Sequence, residues 1–299
     1  MRKLFIIGCC VLSVTFAWAS EQTYAAKGLV LKLDVPQKTL TVSCQAIAGF
    51  MPAMTMPLTV RDAKELDGLS PGTTISFTLV VSKDADGDAD KDASWAEAIH
   101  VESYQGLEVD PLTARRWKLM NRAANPAAPD HQMLALGAHV PDFALLDQDQ
   151  HRIRLTRFSG KVVALNFIYT RCALPEFCFR TSNNFGLLQK RFKDRLGKDL
   201  ILLTVTFDPA HDQPDVLRKY ASIWKADSHN WHFLTGSLAD VQQVCDWFGV
   251  DAFPDEGLMT HSLHTAVIDR TGKLAANIEG NQFSSDQLGD LIQTVLDRR

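Results

Sequence analysis

Two thiols stand close together in Cys172-Ala-Leu-Pro-Glu-Phe-Cys178, with five residues between them. Thiolate is the form of cysteine that attacks disulfides and that binds soft metals. The pair alone leaves open a redox couple, a metal site, a structural disulfide, or two unrelated core cysteines. A second soft-ligand stretch is Phe50-Met51-Pro52-Ala53-Met54-Thr55-Met56-Pro57. Met54 and Met56 are two residues apart, so on a strand they share one face. Thioethers side by side suit Cu(I) or Ag(I). Leu58 and Val60 continue that face, so two core methionines are the competing reading. A lone histidine such as His261, His264, His211 or His151 is on its own a hydrogen-bonded core or surface residue, and Cys245 sits at helical spacing within Val241 to Phe248 as a core cysteine.

These residues need elements to hold them. Cys172 follows the near-continuous apolar run Lys161 to Tyr169, which reads as a strand covered on both faces. Phe185, Leu188, Phe192 and Leu196 then repeat at helical spacing. The cysteines thus lie beyond the carboxyl end of a buried strand and near a helix N-terminus, which favours thiolates. Leu200 to Phe207 reads as a second buried strand, with helices near Pro214–Lys225 and Ser237–Phe248. Thr265–Ile268 and Lys273–Ile278 read as a hairpin about Arg270-Thr271-Gly272, and a last helix runs over Ser285–Leu296. That order predicts an α/β thioredoxin-like layer. Upstream, Leu29/Leu31/Leu33, Leu40/Val42/Cys44, Met54/Met56/Leu58/Val60 and Ile75/Phe77/Leu79/Val81 alternate with period two, separated by turns at Asp34–Lys38 and Ser70-Pro71-Gly72. Short strands and turns without a convincing long helix predict a small all-β barrel of OB-like kind.

The predicted organisation is a signal peptide over 1–19, a barrel over 24–103, a linker over 104–136 with a short helix at Thr113–Ala124, and the thioredoxin-like domain over 137–299. Met1-Arg2-Lys3, the apolar run from Leu4 and Ala17-Trp18-Ala19 are the basic, apolar and cleavage regions of a secretory signal. The run is short for a membrane span of about 20 residues; a retained anchor is the alternative. The 299 residues carry 31 Lys+Arg against 35 Asp+Glu, a net charge of −4 that disfavours a nucleic-acid partner. Of six cysteines, Cys9 and Cys10 fall in the expected leader, and the remaining four, Cys44, Cys172, Cys178 and Cys245, are too few for a disulfide scaffold in a chain this long. The Asp-rich stretch Lys83–Asp92 lacks the glycine position and the closing glutamate of a calcium loop, and reads as a solvated hairpin loop.

Gly137-x-x-x-Pro141-Asp142-Phe143, Asn166-Phe167-Ile168-Tyr169-Thr170-Arg171-Cys172, Asp208-Pro209-x-x-Asp212 and His261-Ser262 with Asp269 resemble the Sco/SenC family from about Gly137 to the end. The resemblance implies a thioredoxin-fold copper protein serving cytochrome c oxidase assembly, with Cys172, Cys178 and His261 as copper ligands. It implies a copper-accepting oxidase subunit and a thiol reductase as partners. The family's usual cysteine motif has three intervening residues; this chain has five. Asp208 matches an acidic position able to hold His261 or Arg171, or to act as a turn residue before Pro209. Residues from about Tyr24 to Val101 resemble the periplasmic copper-binding domain CusF, which implies a second copper site. Its Met-x-Met is kept as Met54 and Met56, Met51 stands near the family's tryptophan, and Cys44 stands where related domains carry histidine. The expectation is therefore a periplasmic or exported copper metallochaperone. The rival is a thiol–disulfide reductase in which Cys172 and Cys178 are catalytic. A peroxidase is disfavoured, because Thr170-Arg171-Cys172 lacks the Thr-x-x-Cys spacing.

Overall fold

The computed structural model describes residues 20–83, 93–102, 133–255 and 257–298. The expected leader at 1–19, the acidic loop at 84–92 and the expected linker up to residue 132, with its short helix, lie outside the described residues. No helix among the described residues is long and apolar enough to cross a membrane.

The N-terminal part is a closed barrel of β1 (Ser20–Asp34), β2 (Thr39–Cys44), β3 (Met54–Val60), β4 (Thr74–Lys83) and β5 (Ala93–Val101) in the order β1-β2-β3-β5-β4. Closure depends on β1, which is long enough to pair with β4 and with β2. Where the two pairings overlap stands Gly28. A Cβ there would lie 2.3 Å from Val42 Cγ1 and 2.9 Å from the Ser43 carbonyl, so the close crossing requires glycine. Leu40, Val42, Cys44, Leu58, Val60, Ile75, Phe77 and Leu79 fill the interior, as their alternation predicts.

β1 departs from the simple reading. Ala26 and Val30 face the barrel core, whereas Leu29 and Leu31 face outward into the second domain. A bulge between Val30 and Lys32 then resets the alternation, and Leu33 returns to the barrel side.

The C-terminal part opens with a small hairpin, β6 (Ala144–Leu146) and β7 (Arg152–Arg154). The remaining elements are β8 (Val162–Ile168), α1 (Arg180–Arg191), β9 (Leu200–Thr206), α2 (Pro214–Ile223), β10 (Trp231–Leu234), α3 (Leu238–Trp247), β11 (Ala252–Asp255), β12 (Leu258–His261), β13 (His264–Ile268), β14 (Leu274–Glu279) and α4 (Ser285–Leu296). A five-stranded sheet runs β10-β9-β8-β13-β14; β8, β9 and β10 are parallel, and β13 and β14 antiparallel. This is the expected thioredoxin-like layer. Val163 and Leu165 of β8 face a core shared with α3, while Val162 and Ala164 face a core shared with α1, α2 and α4. Both faces are covered, which explains the unbroken apolar run.

The barrel is docked on α4 and β14. Leu29 (0 % exposed) and Leu31 (1 %) lie in one cluster with Leu288, Leu291, Ile292 and Val295 of α4. The Asp290 carboxylate accepts from Ser43 Oγ (2.7 Å), Thr55 Oγ1 (3.1 Å) and Arg191 Nη2 (2.6 Å). Gln287 Nε2 donates to the Ser43 carbonyl at 2.9 Å. The turn at Gly72 (φ +96°) packs so closely on β14 that a Cβ would lie 3.1 Å from Ile278 Cγ1. The interface thus has an apolar centre and satisfied polar pins.

Candidate metal centre

The segment after β8 leaves the sheet at Tyr169 and forms a wide turn, Pro175–Phe179, before α1. Cys172 lies half-buried at the mouth of this turn and Cys178 is buried at its end, 1 % exposed. His261 comes from the other side, at the end of β12, and is 8 % exposed. One ligand atom from each of Cys172, Cys178 and His261 lies within 4.8 Å of the others. His261 Nδ1 is 3.0 Å from the Ser262 carbonyl, which can only accept. That fixes the proton on Nδ1 and leaves Nε2 as the ligand atom. Tyr169, Phe177 and Phe207 surround the imidazole, with ring centroids at 5.6, 6.1 and 4.6 Å.

Hydrogen bonding tethers the cluster from below. Asp212, fully buried, accepts from the Thr170 N–H at 3.0 Å and from the Thr170 and Thr206 hydroxyls, so it ties the ends of β8 and β9 together. Burial raises its pKa, against those hydrogen bonds. Asp208 pairs with Arg171 Nη2 (2.7 Å) and His211 Nδ1 (2.8 Å), so of its two expected partners it holds the arginine and not His261. Arg171 Nη1 also donates to the Gly257 carbonyl at 3.2 Å, joining the cysteine segment to the β11–β12 hairpin. His264 is buried beside Asn277, His151 is exposed beside Asp147, and Cys245 is buried in the core with its pKa raised by desolvation.

The two thiols are electrostatically unlike. The neighbouring Cys178 thiol, opposed by burial and helped by His261 beside it, pulls the Cys172 pKa down from 9.0 to about 4. Burial, with the neighbouring Cys172, pushes Cys178 well above 9.0. At neutral pH the pair therefore shares one proton, held on Cys178. Alkylation of the reduced, metal-free protein by iodoacetamide should show a Cys172 rate half-maximal near pH 4, with Cys178 unreactive at neutral pH. A Cys172 rate still climbing at pH 8 would contradict the thiolate assignment. Cys172 is ionised when folded and protonated when unfolded, so its stabilisation is complete above pH 9.0 and is lost as pH falls through about 4.

At the barrel, Met51, Met54 and Met56 line a common pocket with Phe50, Leu79, Val81, Ala93 and Ser94. Phe50 stacks on Tyr24 with ring centroids 3.9 Å apart. Met54 is 47 % exposed at the rim, and Met51 and Met56 are half-buried against the barrel core. Cys44 pairs with Met54 in the β2–β3 register, but its side chain is 1 % exposed within the core, outside the pocket lining. Burial raises its thiol to about 12. The methionines thus form the accessible group, with Cys44 packed beneath.

Fold and site together define a thioredoxin-like protein with a convergent Cys–Cys–His cluster, joined to a small barrel that bears a methionine pocket. The family model of SCO1/SenC matches residues 132–297, and that of the copper binding periplasmic protein CusF matches residues 23–88. The chain belongs to the SCO1/SenC family, here fused to a CusF-like domain. A SCO1 protein homolog of Bacillus subtilis (strain 168) is 31% identical over 109 residues, covering 36% of this chain and 55% of that protein. A putative copper-binding protein of Stutzerimonas stutzeri is 26% identical over 163 residues, covering 53% and 77%. The crystal structure of a SCO1/SenC family lipoprotein from Bacillus anthracis str. Ames matches with a TM-score of 0.49 and 24% identity, covering 54% of this chain and 97% of that one. The chain thus spans little more than half the length of the Bacillus subtilis relative.

Proposed function

We propose that this chain is an exported copper-binding metallochaperone, with Cys172, Cys178 and His261 as its principal copper ligands and a copper-accepting oxidase subunit as its client. The convergence of those three ligand atoms within 4.8 Å carries the reading. Two sulfurs and an imidazole form a soft set suited to Cu(I). The leader over 1–19 and a linker over 104–136 belong to the same proposal, as does a periplasmic location. Copper is cargo here: the chain binds it, shields it with the aromatic ring around His261, and releases it to a partner. The test is copper titration of Cys172→Ser/Cys178→Ser.

Met51, Met54 and Met56 are proposed as a second Cu(I) site that receives the metal, with Cys44 as a reserve ligand below. Met54→Leu/Met56→Leu keeps the volume and the strand. It should lower Cu(I) affinity of the barrel by about tenfold or more while leaving the C-terminal site loaded, since volume-conserving swaps cost little in stability. Unchanged Cu(I) stoichiometry in competition with a chromophoric chelator would overturn the barrel site.

The asymmetry of the thiols favours thiol–disulfide reduction as a second reading. Cys172 thiolate would attack a partner disulfide, expelling one partner thiolate and forming a mixed disulfide. Cys178, giving up its proton, would then attack Cys172 Sγ and release the second partner thiol. The chain ends as the Cys172–Cys178 disulfide and the partner as a dithiol, so a thiol reductase must return two electrons. His261→Ala separates the readings: a chaperone loses copper affinity, whereas a pure reductase keeps reducing a model disulfide.

A further inference from the structure

The spacing of the two cysteines poses a geometric problem. In a regular helix each residue turns the side chain by about 100°. A step of four residues leaves two side chains roughly 40° apart, but the six-residue step from Cys172 to Cys178 leaves them roughly 120° apart. The sulfurs nevertheless fall within 4.8 Å. The path between them is not helical: Phe177 takes φ −102° and ψ −109°, and the turn widens over Pro175–Phe179. Such a path does not follow the regular helical ladder, and although residues 173–176 are exposed its carbonyls take individual partners.

Those partners can be traced. The Leu174 carbonyl accepts from the Phe177 N–H at 3.2 Å. The Pro175 and Phe177 carbonyls accept from the Arg180 N–H, and the Phe177 carbonyl also accepts from Thr181 Oγ1 at 3.1 Å. The Glu176 carbonyl, near the start of the widened turn, accepts from Asn281 Nδ2. Asn281 lies 105 positions away, in the connection between β14 and α4, and is 8 % exposed. The connection is itself firmly set: Ser284 and Gln287 cap α4 reciprocally, and Gln287 grips the barrel at Ser43.

We propose that Asn281 is a positioning residue for the Cys172–Cys178 pair, holding the spacer in the non-helical path that brings the two sulfurs together. Without the tether, the Glu176 carbonyl loses its buried donor and the spacer samples conformers in which the thiols diverge. The copper arm of the test rests on the proposed copper reading; the thiol arm does not.

The experiment uses the full chain with Asn281→Asp, which keeps the shape and removes the donor. Metal-free protein is equilibrated with reduced and oxidised dithiothreitol, so that two protein thiols become a disulfide as oxidised dithiothreitol takes both electrons and both protons. The disulfide equilibrium constant should fall about tenfold, equivalent to about 30 mV. Cu(I) affinity of the C-terminal site should fall by a similar factor. Gln287→Leu serves as the control, because it disturbs the same connection without touching Glu176. Shifts in Asn281→Asp and none in the control support the assignment. No shift in Asn281→Asp, or equal shifts in both variants, overturns it. A shifted thiol equilibrium in a chain whose wild type binds no copper upholds the positioning role and overturns the copper reading alone. Should Asn281→Asp fail to fold, Asn281→Ser, which shortens the donor's reach, carries the same test.

Discussion

Cys172→Ser/Cys178→Ser should bind one copper fewer per chain than the wild type, with no loss of fold. Both sulfurs are replaced by near-isosteric hydroxyls, which are hard donors and poor ligands for Cu(I). The effect is expected to be all-or-none at this site, because His261 alone offers one nitrogen. His261→Ala should be milder than the double variant: two sulfurs remain, and affinity should fall by at least about tenfold, the low end of what is lost when only the partners that orient a ligand are removed. Equilibrium dialysis with Cu(I), followed by metal analysis, reads both. Undiminished stoichiometry in the double variant would remove Cys172 and Cys178 as ligands. Melting curves of the metal-free variants guard against a trivial outcome. Cys178 is tightly packed, so a small loss of stability is expected there without unfolding.

Leu31→Ala should cost about 2–5 kcal/mol, the usual range for removing a fully buried leucine. Its effect should appear in both parts of the chain. Leu31 is anchored in a β-barrel strand, yet its side chain belongs to the same buried cluster as Leu288, Leu291 and Ile292 of α4. Thermal unfolding followed by barrel and C-terminal probes should therefore shift together. Leu31→Asp should be more severe, because it would bury a carboxylate in an apolar cluster. A lowered midpoint for the barrel alone would mean that the two parts unfold independently. The docking matters for the sites as well. α4 contacts Ser43 of β2, next to Cys44, and Thr55 of β3, between Met54 and Met56, so loosening the interface removes the outer support of the strand that carries Met54 and Met56 and of its neighbour.

Much of this was legible from the chain. β2, β3 and β4 alternate cleanly because one face of each meets the barrel interior and the other meets solvent or polar partners. β8 and β9 read as unbroken apolar runs because helices cover both sheet faces. β1 departs from its simple alternation for two physical reasons. Its outward leucines are as apolar as inward ones, since they too are buried, and the bulge at Val30/Lys32 breaks the period. The β11–β12 hairpin was not legible at all. Each strand has four residues, Pro254 interrupts the first, and no period emerges from so short a run. That hairpin delivers His261, which local pattern could not single out; only motif resemblance pointed to it. Asn281 had no signal, because an asparagine in a loop looks like turn chemistry until its distant acceptor is known.

Residue type and order by themselves determined the chemistry available: two close thiols after a buried strand, a Met-x-Met strand, and the α/β and β patterns that carry them. These are local properties, set by side-chain chemistry and by periods of two and 3.6 residues. Tertiary structure alone decided which groups meet. It brought His261 to the cysteines from 83 residues beyond Cys178, sank Cys44 below the methionine pocket, gave Asp208 to Arg171, and placed the proton on Cys178 rather than Cys172. Such pairings depend on long-range packing and on unequal burial of like groups, and neither quantity exists until the chain has folded.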